Sequence, residues 1–230
     1  MVAPAPIVPN IPNIPKIEAP KPIERVAVPS KKLPNQPQIS VPLYADPLKW
    51  YSYSGDVIVF WEVPDDVISV AAKLDHSPNT DPTIAEKDLF TGKNFGLIDE
   101  GVWYVHVRFK NNIGWGPSAH YKISIDRTAP AVFEIRIDNA VTENPAPVIR
   151  YETSDALSGL GEVGILVDDN DLIRVGATTT SFALPLQPPG KHRIVVRAVD
   201  KAGNALEDDQ DLEILPLAKP SFDFVPKSVS

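Results

Sequence analysis

The stretch Gly101-Val-Trp-Tyr-Val-His-Val-Arg-Phe-Lys-Asn-Asn-Ile-Gly114 decides the fold, because a second stretch of the chain repeats it. A shift of 89 residues aligns it, without a gap, with Gly190-Lys-His-Arg-Ile-Val-Val-Arg-Ala-Val-Asp-Lys-Ala-Gly203. In both stretches apolar and polar side chains alternate, which is the period of a half-buried β-strand. The same shift aligns Tyr121–Ile125 with Gln210–Ile214. The chain therefore contains two copies of one β-rich unit of about 85 residues.

Outward from this repeat, the sequence consists of short β-branched and aromatic runs separated by Gly, Pro, Asn and Asp. No segment sustains an apolar period of about 3.6 residues, so the pattern predicts strands and no long helix. The candidate strands are Asp56–Glu62, Val67–Asp75, Phe95–Ile98, Val102–Lys110, His120–Ile125, Val132–Ile137, Val148–Thr153, Val163–Asp168, Ser181–Leu186, His192–Val199 and Leu212–Leu215.

Motifs in the two units carry a family resemblance. The first unit, with Val57-x-Val59-x-Trp61-x-x-Pro64 and Trp103-x-Val105-x-Val107-x-Phe109, resembles a fibronectin type III domain, although Trp103 replaces the usual corner tyrosine. The second, with Ser154-Asp155-x-x-Ser158-Gly159 and Asp200-x-Ala202-Gly203-Asn204, resembles the immunoglobulin-like repeats of bacterial surface proteins. The resemblance implies an all-β fold of two tandem immunoglobulin-like (fibronectin type III-like) β-sandwiches. Such modules serve as spacers, adhesins or enzyme appendages.

Proline marks the domain organisation. Eleven of the 25 prolines lie in residues 1–45, which contain no glycine and no aromatic residue before Tyr44, so we expect an extended proline-rich stalk or linker there. The two sandwiches are predicted at 46–128 and 129–215. Residues 216–230 are predicted to be a linker or the first strand of a further repeat. The residues after Met1 contain no basic region followed by an apolar one, so we expect no signal peptide there, and we expect the chain to be a segment of a longer protein.

Composition excludes several functions. The net charge is −8, there is no cysteine and no stripe of Lys or Arg, so neither a nucleic-acid groove nor a thiolate metal site is expected. No apolar run approaches the roughly 20 residues of a membrane-spanning helix. The four histidines form no recognisable catalytic set, and we expect no enzyme activity. His106 and His120 are expected to face each other across paired strands, without a third metal ligand.

Aromatic residues are the candidates for partner contact. Trp61 and Trp103 are in phase with the apolar rows, which predicts that they belong to the core. Trp50, Tyr51 and Tyr53 cluster at the entrance to the first unit, where they can pack the stalk against the sandwich or contact a glycan or protein. Trp115 lies in a turn, and the sequence leaves open whether it covers the core edge or contacts a partner. No catalytic residue and no cofactor-binding residue is predicted.

Acidic residues are expected to meet at the join between the units. In immunoglobulin-like sandwiches the B–C and F–G loops lie at the same end, which in tandem arrays receives the incoming chain. In the second unit these loops contain Asp155 and Asp200, so both residues are expected to lie close to Asp126. These three carboxylates, with Ser158 and Asn204, could supply oxygen ligands for Ca²⁺. Alternatively, Asp155 and Asp200 only cap their own turns, which needs no metal.

The predicted function is that of a non-catalytic, extracellular or cell-surface structural or adhesion module that spaces or presents a partner. The partner would be a protein or glycan at the cell surface, or neighbouring copies of the chain. Two alternatives remain open at this stage. The units could be accessory, glycan-binding domains of a secreted carbohydrate-active enzyme, or they could belong to a subunit of a surface layer or filament.

Overall fold

The computed structural model describes residues 22–24, 26–168, 170 and 172–217. The expectations for residues 1–21 and for 218–230 lie outside this part of the chain. Two hydrophobic clusters organise the described residues, one drawn from residues 41–125 and one from residues 133–214. The clusters share no member, so each unit has a core of its own. The described ranges contain no helix with the length and apolarity needed to cross a bilayer.

The first sandwich follows a 3-10 turn at Pro42–Tyr44. One sheet has the order β1-β6-β5-β3, and the opposing pair is β2-β4. The strands are β1 (Trp50–Tyr51), β2 (Ile58–Phe60), β3 (Ser69–Asp75), β4 (Gly92–Asn94), β5 (Gly101–Lys110) and β6 (Trp115–Ile125).

The second sandwich has a larger sheet of order β11-β10-β13-β14-β8 and a smaller one of order β12-β9-β7. Its strands are β7 (Arg136–Ile137), β8 (Val141–Thr142), β9 (Val148–Arg150), β10 (Leu160–Val167), β11 (Ile173–Gly176), β12 (Ser181–Ala183), β13 (Gly190–Asp200) and β14 (Ala205–Ile214). Strand β1 pairs in parallel with the end of β6, and β8 pairs in the same way with the end of β14.

The repeated stretches form the central hairpins of the two units, as their alternation predicts. Strand β5 pairs with β6 and β13 pairs with β14, in antiparallel register along most of their lengths. Val105 and Val107 on β5, and Ile194 and Val196 on β13, are all 0 % exposed. Since alternate residues of a strand face opposite sides, these rows form the inner faces of the sheets. The chain is therefore two tandem β-sandwiches.

Several parts of the strand prediction differ from the structure. Strand β6 begins at Trp115, which was predicted to lie in a turn, and β14 covers Ala205–Ile214 where only Leu212–Leu215 was predicted. The predicted strand Phe95–Ile98 is wrong in position, because β4 occupies Gly92–Asn94 and pairs with β2. A run with Gly, Lys and Asn has low strand propensity, so only the pairing with β2 identifies it. The short strands β1, β8 and β11 were not predicted either. Each has two to four residues, too few to show a period of two.

The described part of the proline-rich segment lies along the first sandwich, whereas a free-standing stalk was expected over residues 1–45. Val41 and Tyr44 are 2 % and 0 % exposed within the first core. Ser40 and Phe60 exchange backbone hydrogen bonds, each 2.9 Å long. A Cβ at Gly116 would overlap the carbonyl of Pro34, so the segment approaches β6 closely. Proline spacing indicates extended backbone but not what that backbone packs against.

Candidate functional site at the domain junction

The predicted junction residues meet where the first sandwich ends. Asp126 directly follows β6, Asp155 lies in the loop between β9 and β10, and Asp200 is the last residue of β13. One carboxylate oxygen from each lies within 4.8 Å of the others. Asp126 is 0 % exposed and Asp200 is 3 % exposed. We call these three residues the junction carboxylates.

Hydrogen bonds tie the incoming chain to both loops of the second sandwich. The backbone N–H of Ser158 donates to Asp126 Oδ2 over 2.9 Å. The side-chain amide of Asn204 donates to the backbone carbonyls of Asp126, at 2.9 Å, and of Thr128, at 3.3 Å. The same amide donates to Asp200 Oδ2 at 2.7 Å. Asn204 is therefore the residue that joins the linker to the second unit.

The turn-capping bonds of the two loops are also present. Asp155 Oδ1 accepts from the N–H of Leu157 at 3.1 Å and of Gly159 at 2.7 Å. Asp200 Oδ1 accepts from the N–H of Gly203 at 2.6 Å and of Asn204 at 2.8 Å. These bonds account for one oxygen of each carboxylate, and they orient the other oxygen of Asp200 toward Asn204.

No Lys, Arg or His among the described residues forms an ion pair with the junction carboxylates. The ion pairs found among the described residues all join carboxylates elsewhere in the two units to Lys, Arg or His. Burial, followed by the nearby charge of Asp126, raises the pKa of Asp200, although its hydrogen bonds act in the opposite direction. Clustered, buried carboxylates favour either a bound proton or a bound cation. Carboxylate oxygens are the ligands that Ca²⁺ prefers in proteins.

The first unit has an equivalent position in which an amide replaces one of the carboxylates. Asn111 and Asp66 precede Asp200 and Asp155 by 89 residues each. The Asn111 side-chain amide donates to Asp66 Oδ2 and to the backbone carbonyl of Lys32, both at 2.8 Å. A neutral amide therefore stands where the second unit has a buried carboxylate. The sequence analysis did not identify this role of Asn111, although the 89-residue repeat aligns Asn111 with Asp200.

The aromatic trio at residues 50–53 packs the chain against the first sandwich. Tyr51 is 5 % exposed, and its hydroxyl exchanges hydrogen bonds with the backbone of Asp46. The Tyr53 ring lies edge-on to Tyr51 at 5.5 Å, and its hydroxyl donates to the carbonyl of Leu43. Trp50 is half-buried on β1. Contact between this trio and a glycan or protein stays a prediction.

The other three tryptophans differ in burial. Trp61 is 4 % exposed and donates from Nε1 to the carbonyl of Phe90, which confirms its core position. Trp103 packs against the first core but is only half-buried, and its ring lies 3.8 Å from the His76 ring. Trp115 is also half-buried, with the cationic groups of Arg108 and Lys110 5.8 and 5.7 Å from its ring centroid.

His192 and Asp168 form a polar pair at the turn after β10. His192 Nδ1 lies 2.5 Å from Asp168 Oδ2, and its Nε2 lies 2.8 Å from the carbonyl of Pro188. Both nitrogens thus face acceptors, and the hydrogen bond to Asp168 raises the pKa of His192. Asp168 has a φ of 52°, as expected for an Asp in a tight turn. Asp169 and Asp171 lie outside the described residues.

Comparisons with known proteins concern the fold. No protein-family model matches the sequence, and no curated protein does. Fibronectin(III)-like modules of Clostridium thermocellum CbhA are similar, with 14% identity, a TM-score of 0.44 and coverage of 79% of this chain and 97% of theirs. Latent PorU from Porphyromonas gingivalis is similar with 12% identity and a TM-score of 0.34, over 80% of this chain and 24% of PorU. A tetra-tandem repeat from the extending region of a large adhesion protein is similar with 14% identity and a TM-score of 0.35, over 78% of this chain and 49% of that chain.

Proposed function

We propose that the chain is a non-catalytic structural module of the cell surface or extracellular space, which holds two sandwiches at a fixed spacing and presents a partner. The observation that carries the proposal is the junction. Ile125 belongs to the first core and Ala129 packs against the second, so only three residues separate the cores. A linker this short, bonded to both loops of the next unit, leaves little freedom for the units to reorient.

Small-angle scattering and NMR residual dipolar couplings test this fixed spacing. In the unaltered protein we expect both sandwiches to report one common alignment tensor. Asn204→Ala removes the bonds to Asp126 and Thr128, and we expect it to give the two units separate tensors. Asn139→Ala, at an exposed position of the second unit, is the matched control. Independent tumbling of the unaltered units would contradict the proposed spacer role.

Ca²⁺ is the cofactor that we propose for the same role. The junction carboxylates are drawn from the first unit, the β9–β10 loop and β13, so an ion bound by all three would join both units. The burial of Asp126 and Asp200 without an ion pair, and the neutral Asn111 at the equivalent place in the first unit, support this proposal. The chemistry that such an ion supplies is charge neutralisation.

Two rival functions have distinct experimental outcomes. A glycan-binding appendage is tested on a glycan array, where a signal that is lost in both Trp50→Ala and Trp115→Ala would favour that role. The two cations against Trp115 cover part of its ring, which leaves less of it for stacking on a sugar. A layer or filament subunit is tested by size-exclusion chromatography with light scattering. A discrete oligomer that grows with concentration would favour assembly over a monomeric spacer.

A further inference from the structure

Two histidines on the outer face of the first sandwich form a second polar cluster, away from the junction. His106 on β5 and His120 on β6 are directly opposite in register, and their Nδ1 atoms are 2.7 Å apart. His106 is 0 % exposed although it faces away from the core, whereas His120 is exposed. The loop after β3 covers this face, where Asp81 bonds to Ser118. One imidazole is therefore fixed and the other is free to adjust.

The carboxylate of Asp75 fixes the tautomer of His106. Asp75 Oδ1 lies 3.1 Å from His106 Nε2. The ammonium of Lys73, the N–H of Ser77 and the hydroxyl of Thr80 also bond to Asp75, at 2.8, 2.9 and 2.8 Å. Since these three neighbours are all donors, the Asp75 carboxylate accepts hydrogen bonds and donates none. His106 therefore carries its proton on Nε2 and leaves a lone pair on Nδ1.

This arrangement is the one that proteins use to prepare an imidazole for a metal. A metal-bound histidine commonly donates its other ring N–H to a carboxylate, which sets both the tautomer and the ring orientation. In the metal-free pair, His120 Nδ1 must donate the single hydrogen that lies between the two nitrogens. His120 can move that proton from Nδ1 to Nε2 through solvent, because its ring is exposed. Both Nδ1 lone pairs then face one point.

We propose that His106 Nδ1 and His120 Nδ1 together bind one transition-metal ion that prefers imidazole, Cu²⁺ or Zn²⁺, with water completing its coordination. The ion takes the place of the shared hydrogen, and no proton is lost from the pair because it has moved to His120 Nε2. Metal–nitrogen bonds of about 2.0–2.1 Å at a tetrahedral angle require a separation of roughly 3.3 Å between the nitrogens. Rotation of the exposed His120 ring provides this small widening.

The ligand chemistry separates this site from the junction. Two neutral nitrogens suit Cu²⁺ and Zn²⁺ and hold Ca²⁺ poorly, whereas the junction offers only oxygen. Asp81, which accepts a hydrogen bond from Ser118 on the same outer face, adds negative charge that favours a cation there. Lys73 is already paired with Asp75, which reduces its repulsion of an incoming ion. By the usual order of stability, Cu²⁺ binds more tightly than Zn²⁺.

Isothermal titration of the full chain with CuCl₂ and ZnCl₂, in excess Ca²⁺ to saturate the oxygen sites, tests the proposal. We expect one ion per chain, and two nitrogen ligands in the paramagnetic resonance spectrum of the Cu²⁺ form. Asp75→Asn should weaken binding by roughly 10- to 100-fold, the usual effect of losing an outer carboxylate partner. His120→Ala removes a direct ligand and should weaken it further.

His76→Ala is the matched control, because His76 lies on the same unit but outside the pair and its Nδ1 contacts the carbonyl of Val102. We expect this variant to bind as the unaltered chain does. His120→Ala also leaves the buried His106 in place, and metal-free melting of each variant checks that it is folded. Equal binding by the unaltered chain and His120→Ala would overturn the proposal, as would a Cu²⁺ spectrum with fewer than two nitrogens.

Discussion

Replacing Asn204 by alanine is the most direct perturbation of the junction. Asn204 is 4 % exposed, and its amide nitrogen donates to the carbonyl of Asp126 and to Asp200 Oδ2. The truncation leaves these two buried acceptors without their donor, at about 1–3 kcal/mol each, or about 2–6 kcal/mol together. A domain of this size loses roughly 4–8 °C per kcal/mol, so the second sandwich should melt at least about 8 °C lower.

The two sandwiches can be followed separately, because all four tryptophans lie in the first one. Calorimetry of the full chain reports both transitions, and tryptophan fluorescence reports the first alone. We expect Asn204→Ala to lower the calorimetric transition of the second unit and to leave the fluorescence transition close to its original temperature. A shift no larger than that of Asn139→Ala would refute the assignment of Asn204 as the residue that joins the linker to the second unit.

Three further predictions concern charge and the core. Ca²⁺ should raise the melting temperature of the second sandwich relative to EDTA, and Asp200→Asn should abolish that shift, because it removes one of the three junction carboxylates; no calcium effect would contradict a metal at the junction. The hydrogen bond to Asp168 raises the pKa of His192 above its ordinary value of 6.5. Protonated His192 therefore stabilises the second sandwich fully below pH 6.5, and this stabilisation is lost as the pH rises through the folded-state pKa of His192. Calorimetry at pH values from about 5 to 9 should show this loss of stability in the unaltered chain and not in His192→Asn. Parallel curves of melting temperature against pH for the two proteins would contradict the stabilising role of His192. Trp61→Ala should cost about 3–5 kcal/mol in denaturant unfolding and Trp103→Ala distinctly less, because Trp103 is only half-buried; equal losses would contradict that difference.

The repeat predicted the parts of the protein that depend on periodic burial. Alternation along Gly101–Lys110 and Gly190–Asp200 is sufficient to assign inner and outer faces, and immunoglobulin-like topology then placed Asp155 and Asp200 at the end that receives Asp126. The outer face of β5 was predicted to be solvated, and His106 is nevertheless fully buried. A covering loop has no period in the sequence, so its position depends on contacts such as those of Thr80 with Asp75 and of Asp81 with Ser118.

The proline-rich segment also packs in a way that its sequence pattern does not predict. Its proline spacing predicts extended backbone, but Val41 and Tyr44 complete the first core, which composition alone does not indicate. The Tyr121 hydroxyl donates to the Tyr44 carbonyl over 2.7 Å, and burial raises the pKa of Tyr121 to about 12. These partners are 77 residues apart in sequence, and only the folded chain brings them together.

The parallel pairing of β1 with β6, and of β8 with β14, has a mechanical consequence. In each unit a strand near the entrance of the chain lies beside the strand from which the chain leaves, with Tyr51 opposite Ile125 and Thr142 opposite Ile214. Tension applied along the chain pulls such neighbours past each other in opposite directions. The hydrogen bonds between them are then loaded in shear and must break together, whereas an antiparallel hairpin pulled from its open end breaks one bond at a time. We therefore expect each unit to resist stretching at its own two ends.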